Sequence, residues 1–357
     1  MIFRHDDTPP GADGKLTRWA ARRNERMAYR ERTEPLRVPK ESWDVAKAQT
    51  AILGPPHSLI CDVVRAISNA SALLKTDDPT SIRLFSRQSI QFLVKVSPTI
   101  TSALFFAARE YYPLHLLECR PLNRAKLVAL FEPEELLAIV SATYFGRTLR
   151  KNIPETVWEC HAEKLVLHSF LGGVAGKSVP GVGLGHGILL GLLDYLSFLV
   201  QLTYLAHSED SADSPLRTGG RMFKPEEEMM LFSCLHHQVA YVIATSAGFH
   251  SKIRAVFLAS AIDLGAESHR DPETDKWRHS LAATVDLHYS GLLSPLVHGL
   301  AFRDEVARSI NRTAGTVRAH PDQLNPWFLR NPSELPSQIL DELELSSDLV
   351  DEDRFDE

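Results

Sequence analysis

The sequence predicts an all-α fold, a multi-helix bundle with a polar N-terminal arm and an acidic C-terminal tail. Three observations carry this. Apolar residues recur at i, i+3, i+4 spacing, as in Leu59, Ile60, Val63, Val64 and Ile67, which makes one apolar face per helix. A proline followed by acids or good helix formers opens segment after segment. No stretch shows sustained period-2 alternation, and no Asn-Gly or Asp-Gly turn sits between β-branched runs.

Residues 1–50 are polar and Arg-rich, with Pro9, Pro10, Pro35 and Pro39. They read as a basic, largely flexible arm with one short helix near Leu16–Arg32, and packed structure is expected from Pro55–Pro56 onward. Asp78-Pro79 then opens a helix carrying Ile82, Phe85, Ile90 and Leu93, and Ser97-Pro98 opens one with Ile100 and Leu104. Pro133-Glu134-Glu135, Pro154-Glu155 and Pro225 with Glu226, Glu227 and Glu228 open three more, the last running through Phe232 to Val239. At that first position proline's missing N–H costs nothing, and the acids face the positive end of the helix dipole. Gly172–Gly187, Ser208–Gly220 and Gly265–Asp275 read as loops. The bundle proper is assigned to residues 51–310, and 311–357 to an extended, disordered acidic tail.

Ile188–Ala206, ILLGLLDYLSFLVQLTYLA, is long enough to span a bilayer. Asp194 and Gln201 interrupt it and no basic flank anchors it, so it is expected to be a buried core helix and not a membrane span. Asp194 must then find a hydrogen-bond donor, with His161 and Tyr195 as the candidates.

The chain has 357 residues, 44 % hydrophobic and 24 % charged, with net charge −6. That balance supports a sizeable core and speaks against general nucleic-acid binding, which needs a basic face. Charge is polarised along the chain. Residues 15–40 hold nine Lys or Arg against three acids, and residues 334–357 hold ten acids against Arg354. Two solvated tails, or a basic arm that docks on an acidic partner, a membrane surface or the acidic tail, both fit that pattern. Cys61, Cys119, Cys160 and Cys234 form no CxxC pair and lie in apolar surroundings, as reduced, buried thiols of a cytoplasmic protein do. Met1–Pro10 is polar and shows no apolar signal segment.

Gly172-Gly-Val-Ala-Gly-Lys-Ser178 falls one residue short of a phosphate-binding loop, because Leu171 stands where the first glycine belongs and Pro180 follows at once. Gly181–Gly187 lacks the preceding strand of a dinucleotide site. Seven histidines (His161, His168, His186, His207, His236, His237 and His250) crowd one 90-residue stretch. With Asp194 they form a candidate metal set, or a group of satisfied core side chains.

The order of landmarks in residues 55–265 resembles the HDOD domain, a helical relative of the HD phosphohydrolases. Trp158-Glu-Cys-His161-Ala is similar to the family's tryptophan with a histidine shortly after it, one residue late here. Gly191-Leu-Leu-Asp194-Tyr195 stands where the HD superfamily has Gly-Leu-Leu-His-Asp. Glu228 through His237-Gln-Val-Ala240 resembles a later histidine-bearing helix, and Gly248-Phe-His250 the turn after it. The family's next histidine pair would fall at Leu258-Ala259.

The resemblance, with the His-Asp pair replaced by Asp194-Tyr195, implies a non-catalytic signalling or regulatory module that acts through protein contacts. It implies no catalytic residue, no cofactor and no metal. A small-molecule effector and a homo-oligomer are compatible with it, and the partner protein is unnamed. The rival expectation is a divergent metal-dependent phosphohydrolase acting on a nucleotide or cyclic dinucleotide, with His161, His186, Asp194, His236 and His237 as its ligands.

Overall fold

Proline sets the first turn of six helices in the computed structural model, which describes residues 38–208, 223–262, 271–294, 297 and 302–345. The helices are α1 (Glu41–Thr50), α2 (Ser58–Ser68), α3 (Ala70–Leu74), α4 (Pro79–Val96), α5 (Pro98–Tyr111), α6 (Pro113–Glu118), α7 (Arg124–Ala129) and α8 (Pro133–Asn152). They continue as α9 (Glu155–Ser178), α10 (Gly183–Ser208), α11 (Pro225–Phe232), α12 (His236–Ala247), α13 (Ser251–Ile262), α14 (Pro272–Tyr289), α15 (Asp304–Ala319) and α16 (Ser337–Glu342). No strand occurs among the described residues. Local chemistry explains many of the starts. Asp78 accepts from the amides of Thr80 and Ser81, Ser97 from Ile100, and Asn123 from Lys126, each satisfying a donor the first turn leaves free.

Helix α10 is the axis of the bundle. Its Gly183–Ala206 stretch is long and apolar enough to cross a membrane, yet 94 % of that window is buried inside the protein. Helices α8, α9 and α12 pack along it, and Tyr195 and Phe198 are among its fully buried side chains. The expected core helix at Ile188–Ala206 is therefore present, and it starts earlier.

The glycine-rich stretch 172–187, expected as a loop, is largely helical. Helix α9 runs to Ser178, and α10 begins at Gly183. Gly181 (φ 87°) and Gly183 (φ 83°) make the short turn between the two helices, and the other glycines serve packing. A β-carbon on Gly176 would lie 2.6 Å from the Gly187 Cα, and one on Gly191 would lie 2.6 Å from the His168 carbonyl oxygen. The two backbones touch along a seam that admits no side chain. Lys177 thus sits in the last turn of a helix and not in a phosphate cradle.

Three further boundaries differ from expectation. The helix opened by Pro225 stops at Phe232, because Ser233 takes a left-handed conformation (φ 60°), and α12 starts afresh at His236. Residues 41–50, placed in the flexible arm, form α1, where Ala46 is buried and Gln49 donates to the Phe232 carbonyl at 3.0 Å. Residues 311–345, expected to be extended, complete α15 and then anchor through buried Trp327, Phe328, Leu335, Ile339, Leu343 and Leu345. Phe328 fits against Gly146, where a β-carbon would meet its ring at 3.0 Å. A few well-spaced apolar anchors outweigh the polar composition around them. Of the cysteines expected to be buried, the fold buries Cys61 and Cys234 but leaves Cys160 exposed. The helix expected near Leu16–Arg32 and the acidic residues after Leu345 lie outside the described residues.

Candidate functional site

Asp194 is the one acid in the apolar middle of α10, and it is fully buried. A buried carboxylate without partners is costly, so its surroundings decide what it can do. Its Oδ2 meets His168 Nε2 of α9 at 3.1 Å. Its Oδ1 meets His236 Nε2 at 3.2 Å and His237 Nε2 at 3.2 Å, both at the start of α12. The other side of His236 belongs to Glu228 of α11. Glu228 Oε1 lies 2.7 Å from His236 Nδ1, and its Oε2 accepts the His236 backbone amide at 3.0 Å.

These contacts set the charges. Burial alone would hold His236 neutral, but the two flanking carboxylates, Glu228 and Asp194, outweigh it and push the imidazole up to about 10. With a carboxylate at each nitrogen, His236 is an imidazolium that donates from both. Burial works against an ionised Asp194, yet the His236 charge and the bonds from His168, His236 and His237 hold it well below the usual carboxylate range. Burial and the neighbouring His236 charge keep His237 down, so it is neutral and donates its Nε2 proton to Asp194.

Behind Asp194 lies an aromatic shell. Tyr195 is packed among His168, His288 and Phe198, and its hydroxyl shares a 2.9 Å hydrogen bond with His161 Nδ1. The His168 and His288 rings meet at 4.8 Å, and neither Nδ1 has a hydrogen-bond partner. Burial drives His288 down to about 2, so it stays neutral.

His186 belongs to a separate pair. Its Nδ1 donates to the Val182 carbonyl at 2.9 Å, leaving Nε2 as an acceptor. His250 accepts the amides of Lys252 and Ile253 on its Nδ1, capping α13, so its Nε2 carries the proton and points at His186 Nε2, 3.5 Å away. Burial pushes His186 down to about 4, and burial with the His186 neighbour takes His250 to about 3. Trp277 closes over both rings.

Of the five residues expected to act together, the fold unites Asp194, His236 and His237, while His161 and His186 stand apart. The expected donors to Asp194 are also replaced: His161 and Tyr195 bond each other, and His168, His236 and His237 serve the carboxylate. Glu228 and His288 are members that sequence reading did not assign to the site, and His168 was named in the histidine set but not among the five ligands. His168 had a signal, since it lies seven residues after His161 and so on the same helix face. His288 had none.

The donor set fits one divalent transition ion. Asp194, His236 and His237 place ligand atoms within 4.8 Å of one another. Glu228 stands at the far nitrogen of His236, the carboxylate–histidine support common behind metal ligands. The same groups also satisfy one another without an ion, with Asp194 taking the place of a shared anion among three imidazoles.

No family model matches this chain, and none of the curated proteins matches it. A solved structure from Shewanella amazonensis SB2B, provisionally assigned as a metal-dependent phosphohydrolase, aligns over 83 % of this chain and 99 % of its own, at 15 % identity and a TM-score of 0.37. A likeness that distant carries neither a family nor an activity to this chain.

Proposed function

We propose that this chain is a cytoplasmic regulatory module that works through protein contacts, and that the Asp194 cluster is a static polar tie joining α9, α10, α11 and α12. One observation carries the reading. Asp194 is fully buried and spends both carboxylate oxygens on imidazoles. A hydrolytic metal centre needs a coordination position open to water and substrate. Within the cluster, His237 is the residue that reaches solvent, its side chain 22 % exposed, while His168, His236, Asp194 and Glu228 are buried. The landmark order resembling the HDOD domain supports the same reading, since Asp194-Tyr195 replaces the superfamily's His-Asp pair.

A second reading, a metal-dependent phosphohydrolase acting on a nucleotide or cyclic dinucleotide, is favoured by the convergence of Asp194, His236 and His237 with Glu228 behind. In it those three residues hold the ion, which would polarise a phosphoryl oxygen or activate water when bound. Glu228 would fix the His236 tautomer, and His168 would orient the second carboxylate oxygen.

Elemental analysis of the purified protein and turnover assays separate the two readings. The assays use phosphomonoesters, nucleotides and cyclic dinucleotides with manganese, iron or magnesium. The regulatory reading expects no turnover with any of them. Turnover that vanishes in both Asp194→Ala and His236→Ala would sink it. Stoichiometric metal without turnover would make the tie a structural metal centre.

A further inference from the structure

Helix α4 presents an apolar outer face that the described residues leave uncovered. Leu84, Gln88 and Phe92 are spaced i, i+4, i+8, so they share one face, and Leu84 is 58 % and Phe92 60 % exposed. The charges of this helix are Arg83, Arg87 and Lys95, with no acid among its residues. Arg83 is paired with Glu132, and Arg87 reaches the Ala129 carbonyl.

The described chain ends beside this helix. Arg124 donates to the carbonyls of Leu343 (2.7 Å) and Glu344 (2.8 Å), and its third contact is the Lys95 carbonyl at 2.8 Å, at the C-terminal end of α4. Residues 346–357, SSDLVDEDRFDE, therefore start next to Lys95. They carry six acids against Arg354, with Leu349, Val350 and Phe355 as apolar members.

We propose that residues 346–357 dock along the outer face of α4, with Leu349, Val350 and Phe355 covering Phe92 and Leu84 and the acids facing Arg87 and Lys95. Reach allows it. Four extended residues from Leu345 to Leu349 cover roughly 13 Å, and Phe92 lies roughly 4.5 Å along the helix from Lys95. The next eight residues can run antiparallel to α4 past Leu84, about 12 Å further on. Charge selects this face over the exposed Leu114 and Leu117 of α6, which lie beside Glu118 and have no Lys or Arg on their helix. Tethering raises the local concentration of the segment, so weak contacts suffice, and an outside partner that binds α4 must displace it.

The test places the photo-reactive residue p-benzoylphenylalanine at position 92 of the full chain, an exposed site where the fold tolerates it. After irradiation, the captured peptide is identified by mass spectrometry. Mixed 14N and 15N protein distinguishes capture within one chain from capture between two. The expected product is an intramolecular link to residues 346–357. Its yield falls about threefold or more in Lys95→Glu, in Phe355→Ala or in half-molar salt. The same reagent at position 114 should not capture that segment. Links only to residues 1–37, links only between copies, or no link at position 92 would each overturn the proposal.

Discussion

At the scale of single residues, the histidines divide by charge, and stability should show it. His186, His250 and His288 are neutral when folded, at about 4, 3 and 2, against a usual 6.5. Below pH 6.5 the unfolded chain binds protons that these residues refuse, so stability is lost as pH falls. His236 has the opposite sign. Its folded value is about 10, so its contribution is complete below 6.5 and drains away as pH rises toward 10. The urea midpoint of metal-free protein, measured with chelator from pH 5 to about 9, is expected to peak at about pH 7, where the three depressed histidines and His236 balance. Burial raises Cys234 to about 12, and that thiol adds its own loss only above the unfolded value of 9.0. His236→Gln should flatten the alkaline limb, and an unchanged limb would mean His236 is not an imidazolium. Asp194→Ala should cost about 3–5 kcal/mol at neutral pH, because it strands buried imidazoles without their acceptor. The sequence exposed Asp194 as a charge inside an apolar run. It could not supply the partners, which arrive from 26 and 42 residues away through packing.

The elements divide into those set by local chemistry and those set by contact. Prolines 79, 98, 133 and 225 marked helix starts correctly, because a proline first turn and its acids are written in adjacent residues. The 172–187 stretch was misread because glycine serves both turns and close backbone contact, and only the neighbouring helix decides which. Two substitutions separate these roles. Gly176→Ala forces a β-carbon to within 2.5 Å of the Gly183 carbonyl oxygen and 2.6 Å of the Gly187 Cα, so α9 and α10 must part. The expected cost is about 2–4 kcal/mol. Gly315→Ala, in the exposed middle of α15 with nothing within 4 Å, should instead stabilise by about 0.5–1 kcal/mol. Thermal melts of the two variants should move in opposite directions.

On the scale of the whole molecule, the sequence conveyed an all-helical bundle with α10 at its core, and it understated how far the packed region extends. Helix α1 and residues 311–345 join that region through isolated anchors such as Ala46, Trp327 and Phe328, which windowed composition averages away. The burial of α10 makes a physical forecast despite its membrane-like length. In Triton X-114 phase separation the protein is expected in the aqueous phase. Recovery in the detergent phase would show that α10 is not shielded in solution.

The glycine seam has a consequence for the order of assembly. It joins residues only 7 to 23 positions apart (Gly176 to Gly183, His168 to Gly191), so the α9–α10 hairpin closes a short loop and pays little entropy to form. The contact from Asp194 to His236 spans 42 residues and must wait for α11 and α12. Within the hairpin Asp194 Oδ2 can already meet His168, whereas its Oδ1 is expected to stay hydrated until the late helices deliver His236 and His237. The apolar seam is thus expected to form early and the Oδ1 side of the polar cluster last, an order that a larger loss of refolding rate in Gly176→Ala than in His236→Gln would reveal.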